Sequence, residues 1–163
     1  MRIAEGVEWA VHLCAVLGAV PDGFGLPAGR LAEFHELPPA YLAKHLQALS
    51  RAGIVTANRG VSGGYRLAKP PTGITLLDIT LAIEGSESAF RCTEIRRQGP
   101  CAATPATSRQ RCAIAKAFLH AETQWRKVLA SVSVADMMAT AAGESFDKVR
   151  KRVFQDWLNS AMK

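Results

Sequence analysis

The chain has 163 residues, 48% hydrophobic and 21% charged, with a formal net charge of +6. That is enough for one domain with a core, or a small domain with an extension. No apolar run reaches the roughly 18–20 residues of a membrane span, and Glu5, Glu8 and His12 interrupt the N-terminal stretch that could pass for a secretory leader, so a cytoplasmic protein is expected.

Ile3, Val7, Ala10, Cys14 and Leu17 recur at helical spacing, which predicts an amphipathic helix over 2–18. The same helix carries Glu8 and His12 one turn apart, two metal-competent side chains on one face. A surface hydrogen bond is the plain alternative for such a pair. "PDGFGLPAG" breaks the chain, "RLAEFHEL" reads as a short helix, and "PPAYLAKHLQALSRAG" as a second, opened by Pro38 and Pro39 and closed by Gly53. Two short helices so close together predict a helix-turn-helix. Ile54–Thr56 and Tyr65–Leu67 are strand candidates joined by "NRGVSGG", so a hairpin wing follows.

"ITLLDITLAIEG" predicts another helix. Residues 85–107 show no periodicity and are rich in Gly, Pro, Ser and Thr; a connection that long is usually functional or disordered. Residues 108–130 return to helix, with Ile114, Phe118, Ala121, Trp125 and Val128 stepping in a heptad-like seam suited to a dimer interface. The final segment places Phe146, Val149, Val153 and Trp157 on one helical face, with a basic, solvated face opposite. The expected architecture is mostly α with a small β-hairpin wing. A winged helix-turn-helix spans 1–84, a cysteine-bearing, cofactor-sensing loop 85–107, and a dimerisation helix with a C-terminal helix 108–163.

With Leu42, Leu46 and Leu49 turned inward, Ala40, Lys44, Gln47 and Arg51 point outward. A recognition helix reads bases in the major groove, where Lys44 can donate to guanine and Gln47 can pair with adenine. Tyr41 and His45 lie on the flanks, to touch phosphate or to pack. Arg59, in a Gly-flanked wing tip, can enter a narrow minor groove or clamp phosphate. The partner expected is double-stranded operator DNA.

The four cysteines are Cys14, Cys92, Cys101 and Cys112. Cys14 shares the apolar stripe of the first helix and reads as a core cysteine. Between Arg91 and Lys116 stand six basic residues against the single acid Glu94. Arg91, Arg109, Arg111 and Lys116, with a helix start at Cys112, favour anionic thiolates. An iron–sulfur cluster, a zinc site and a thiol–disulfide switch all suit that setting. There is no CxxC, no nucleophile–base motif and no phosphate loop, so an enzyme, such as a small metallohydrolase or thiol oxidoreductase, has little support.

"YLAKHLQALSRAGIVTANRGVSGGYRLAKP" resembles the winged-helix core of the bacterial repressor family that includes the iron–sulfur regulator IscR and the nitric-oxide sensor NsrR. With the helix and the cysteine loop that follow, the resemblance covers most of the chain. It implies a homodimer, operator binding by helix and wing, and a dimer interface on the long helix after the loop. The gaps between Cys92, Cys101 and Cys112 are wider than in the family's common three-cysteine pattern. "GVEWAVHLC", "FRCTEIRRQGP" and "CAIAKA" are instead similar to the redox-sensing RsrR branch. That resemblance implies a 2Fe–2S cluster held by Glu8, His12, Cys92 and Cys112, with the cluster bridging two subunits, and gives Cys101 no counterpart. Trp9, between the two α-helical ligands, is then a candidate redox gate that relays cluster charge towards the DNA-reading helices; its plain role is packing.

Overall fold

The computed structural model describes residues 3–58, 60, 63–104, 109–144 and 148–162. In chain order these form α1 (Glu5–Gly18), α2 (Ala28–Phe34), α3 (Pro39–Arg51), β1 (Val55–Asn58), β2 (Gly64–Leu67), α4 (Leu76–Glu84), α5 (Ala113–Ala130), α6 (Val134–Glu144) and α7 (Lys148–Ala161). Single-turn 3-10 segments stand at Pro71–Gly73 and Ile95–Arg97.

The helix-turn-helix and wing follow the apolar pattern. Leu42, Leu46 and Leu49 of α3 are fully buried, and Leu31 and Ala32 of α2 meet them in the core. Pro39 starts α3 at a position where a missing N–H costs nothing, and Gly53 leaves the helix at φ 67°, a left-handed turn that a side chain would strain. β1 and β2 pair antiparallel with Val55 opposite Leu67 and Asn58 opposite Gly64. Leu26 adds a third rung through reciprocal bonds with Tyr65, 2.9 and 2.8 Å. That close approach explains the glycine before Tyr65. Gly64 sits at φ 129°, and a Cβ there would stand 2.5 Å from the Leu26 carbonyl carbon.

The sequence-based reading lacks α6. Its run "VADMMATAAGE" is short and alanine-rich, so no clear stripe marks it. The legible signal is at its start. Ser133 and Asp136 exchange bonds as a capping box, Asp136 N–H to Ser133 Oγ at 3.1 Å and Ser133 N–H to Asp136 Oδ2 at 2.8 Å. Thr75 and Asp78 do the same at the start of α4, and the two caps meet in an antiparallel bridge between Thr75 and Ser133. This junction carries Val134 into the same core as Ala10, Leu13 and Ile79.

α7 joins that core through Leu158 and Ala161. Phe34 of α2 rests on Trp157 at a ring separation of 4.2 Å and on Phe154 at 5.7 Å. Arg30 of α2 donates to the Ser160 hydroxyl at 2.7 Å. Val149 and Val153, expected on the same face as Trp157, are exposed, and Phe146 lies outside the described residues. A helix turns about 100° per residue, so the buried stripe runs through Phe154, Trp157, Leu158 and Ala161 and has drifted off the valines.

Among the described residues no helix is long and apolar enough to cross a membrane.

Candidate functional site

Inward packing of its three leucines turns the other side of α3 to solvent. Ala40, Tyr41, Lys44, Gln47 and Arg51 are all exposed. Hydrogen-bonding side chains therefore project from consecutive turns of one rigid helix, the arrangement that base-edge and phosphate contacts require. Arg59 lies outside the described residues. The flanks of α3 divide. Tyr41 is 59% exposed, whereas His45 is half-buried and holds its pKa below the ordinary histidine value, first through burial and then through the neighbouring Lys44 charge. His45 packs, the favoured of its two readings.

What His45 packs against is α1. The Trp9 ring stands edge-on to His45, 5.7 Å between centroids, and edge-on to Tyr41 at 6.1 Å. Glu8 and His12 flank Trp9 and are both exposed. His12 also approaches His35 at the end of α2, 5.7 Å between ring centres, and His35 in turn stands edge-on to Phe34 at 4.8 Å. Burial first, and the neighbouring His12 second, push the His35 pKa down. The helix bearing Glu8 and His12 thus touches α3 through Trp9 and α2 through His12. Cys14 is fully buried on the opposite stripe, its thiol pushed up to about 12 by burial, as suits a core side chain.

The other cysteines stand near the base of α5. Cys92 and Cys101 are exposed and Cys112 is half-buried. Cys112 is the N-cap of α5, at the helix start expected from the sequence. The loop before it is anchored at one end on α5: Phe90 stacks on Phe118 at 4.5 Å, Ser88 donates to Glu122, and Arg126 donates to the Ser86 carbonyl at 3.1 Å. Arg91 is paired with Glu87, and Arg109, Arg111 and Lys116 are exposed. Arg96 donates to Glu94 Oε2 at 2.8 Å and to the Gln110 carbonyl, and Arg97 pairs with the same Glu94 oxygen at 3.6 Å. The Cys92 thiol donates to the other oxygen of Glu94, at 3.6 Å. Neither Glu94 nor Arg96 stood out in the sequence. The only hint was an acid alone in a basic run.

Among the described residues of one chain, no three His, Cys, Asp or Glu side chains converge to hold a metal ion. Glu8 and His12 on α1 therefore do not all come together with Cys92 and Cys112 in one chain. The α5 seam is likewise uncovered: Ile114 is 62%, Phe118 52% and Val128 62% exposed.

Comparison with known proteins fits this geometry. The family model Rrf2, described as iron-dependent transcriptional regulator, matches residues 3–140. YwgB of Bacillus subtilis (strain 168), named as an HTH-type transcriptional regulator, is 24% identical over the whole chain and 98% of its own length. The Synechocystis protein slr0846, named likewise, is 39% identical over 55% of this chain and 61% of its own. Among solved structures, T. potens IscR superposes with a TM-score of 0.68 at 20% identity, covering 91% of this chain and 93% of that one. CymR, the global cysteine regulator of B. subtilis, gives 0.66 at 20% identity, covering 86% and 98%. At that identity the two structures speak for the fold, a winged helix. The family assignment rests on the match of the Rrf2 model to most of the chain, and this protein belongs to the Rrf2 family of DNA-binding transcriptional regulators.

Proposed function

We propose that this regulator is a homodimer that senses redox state through a 2Fe–2S cluster shared between subunits, and that Ala40, Tyr41, Lys44, Gln47, Arg51 and Arg59 contact operator DNA. The observation that carries the reading is the position of Trp9. It lies between Glu8 and His12 in sequence and rests on Tyr41 and His45 of α3, so a change of charge at the Glu8–His12 face has a packed route to the reading helix. The failure of the four donors to converge within one chain, and the exposed apolar seam on α5, support assembly across a dimer.

The donor set suits the group. Two thiolates match iron with sulfide, and imidazole can replace thiolate on one iron, as in Rieske centres. Glu8 and His12 of one subunit and Cys92 and Cys112 of the other would hold it, and bound there it supplies one-electron redox chemistry. The chain's own part is to carry the consequence. Trp9 adjusts against His45, α1 shifts on α3, and the spacing of two recognition helices changes. A coupling of about 1.4 kcal/mol already alters operator affinity tenfold.

The test is iron, sulfide and visible absorbance of anaerobically purified protein. Stoichiometric iron and sulfide with a visible chromophore are expected, and their loss in Glu8→Ala and His12→Ala. Protein that stays colourless after reconstitution overturns the cluster.

A second reading, a repressor switched by thiol oxidation or zinc, draws on the exposure of Cys92 and Cys101. Peptide mapping of oxidised protein that joins Cys92, Cys101 or Cys112 in a disulfide favours the thiol switch, and metal analysis that finds zinc favours the zinc site.

A further inference from the structure

Cys92 and Cys112 are twenty positions apart in sequence, on either side of the 3-10 turn at Ile95–Arg97. To serve one site they have to be held in register across the intervening loop. One side chain reaches both ends. Arg96 lies in the 3-10 turn after Cys92 and is half-buried. On one side it grips Glu94, which receives the Cys92 thiol hydrogen. On the other it donates to the carbonyl of Gln110, two residues before Cys112. Its own carbonyl accepts the N–H of Ala103 at 2.8 Å, which folds the middle of the loop onto the same turn. Glu94 takes a left-handed backbone conformation, φ 53° and ψ 38°, unusual for a residue with a side chain. That conformation accompanies a carboxylate serving Cys92 and Arg96 at once.

A guanidinium suits this position because its planar fork can serve two acceptors in different directions, which an ammonium on a flexible stem does poorly.

We propose that Arg96, braced by Glu94, is a positioning residue that holds Cys92 and Cys112 in register while the Cys92 thiol is protonated and bonded to Glu94, and that its positive charge offsets the negative charge at the two sulfurs once the thiol protons leave. It has two separable effects: the fork sets the sulfur–sulfur geometry, and the charge favours the more negative state of whatever the thiolates bind. The second effect rests on the cluster reading above; the first does not.

The experiment uses full-length protein with Cys101→Ala, in metal-free and reconstituted forms, carrying Arg96, Arg96→Lys or Arg96→Met. Dibromobimane fluoresces strongly once it bridges two thiols, and a reducing gel after the reaction shows whether the bridge lies within one chain. In metal-free protein, rapid intrachain bridging of Cys92 to Cys112 is expected with Arg96. A fall of about tenfold, equivalent to about 1.4 kcal/mol of lost positioning, is expected with both Lys and Met. In reconstituted protein the midpoint potential should fall with Met, because a positive charge is gone, and stay close to the parent with Lys. Far-ultraviolet circular dichroism checks folding, and Lys serves as the test variant should Met not fold. Bridging at the parent rate in both variants, or no bridging with Arg96 itself, overturns the positioning role. An unchanged potential in Met overturns the charge role. If the parent takes up no iron, the cluster reading fails while the bridging arm still decides the positioning of the thiols.

Discussion

Trp9 and His45 meet edge to plane, 5.7 Å apart and at 86°, and the His45 ring also lies close to Gly6. A Cβ at position 6 would stand 2.5 Å from His45 Cε1. The imidazole therefore packs against two residues of α1. Gly6→Ala gains about 1 kcal/mol of helix propensity. It also forces the ring out of a packed slot, at about 1–3 kcal/mol. A net loss of roughly 1 kcal/mol in urea unfolding is expected. The pair is coupled, so adding Gly6→Ala to His45→Ala should stabilise the chain, reversing the sign of the single change. The same sign in both backgrounds would mean that the ring swings aside freely.

Burial of His45 also makes stability depend on pH. Burial, and then Lys44, hold the His45 pKa below its ordinary value, so the unfolded chain takes up the proton more readily than the folded one. Stability from this source is complete above the unfolded pKa, about 6.5, and is lost as pH falls through it towards the lower folded value. His35 adds a contribution of the same sign, through burial and His12. Urea midpoints of metal-free protein should be lower at about pH 5.5 than at about pH 7.5, with a smaller difference in His45→Gln. Equal midpoints would show that the ring protonates in place at no cost.

These contacts mark where the sequence stops being legible. Periodicity revealed the inward leucines of α3 and hence its outward Lys44 and Gln47, because a helix has only one way to bury a stripe. It also separated Cys14 from the exposed cysteines. It could not show that His45 touches Trp9 or that Arg96 joins Glu94 to the Gln110 carbonyl, since those are contacts between segments with no shared period. α6 escaped for a different reason. Its helix is fixed by a Ser133–Asp136 cap and by docking on α1, and alanine-rich turns leave little pattern to read.

α7 offers a test of tertiary packing outside the region matched by the family model, which ends at residue 140. Phe34 is covered by Trp157 and Phe154, and Phe34 leads through His35 to His12. Trp157 is half-buried, so Trp157→Ala should cost about 2–3 kcal/mol, below the full range for a buried aromatic. Thermal unfolding measures it. An unchanged midpoint would mean that α7 does not stay docked on α2 in solution.

Operator contacts separate by type. Lys44 and Gln47 are both exposed on the outer face of α3. If both read bases, Lys44→Ala and Gln47→Ala each cost about 1–3 kcal/mol of operator binding and relax specificity at one position. Arg51, at the end of the helix, suits phosphate. Arg51→Ala should weaken all sequences alike and reduce the slope of log affinity against log salt by about one. Fluorescence anisotropy over a salt series reads both. A salt slope unchanged in Arg51→Ala would remove it from the backbone contacts.

The seam on α5 links assembly to the proposed cofactor. Phe118 is 52% exposed and stacks on Phe90 of the thiol loop, so it faces the seam while bracing the chain that leads to Cys92. A carboxylate there would be desolvated in a dimer interface and left without a cation, and loss of a central aromatic anchor typically costs about 2 kcal/mol or more. Phe118→Glu should shift sedimentation from dimer to monomer at micromolar concentration. Because the four donors do not converge within one chain, the monomer should also fail to take up iron and sulfide. Phe118→Leu controls for the loop: it keeps the apolar seam but loses the stacking on Phe90. Dimeric, iron-loaded Phe118→Leu beside monomeric, iron-free Phe118→Glu is the expected pair. A monomer that loads a full cluster would place all ligands in one subunit and end the bridging proposal, while leaving the DNA-binding assignment intact.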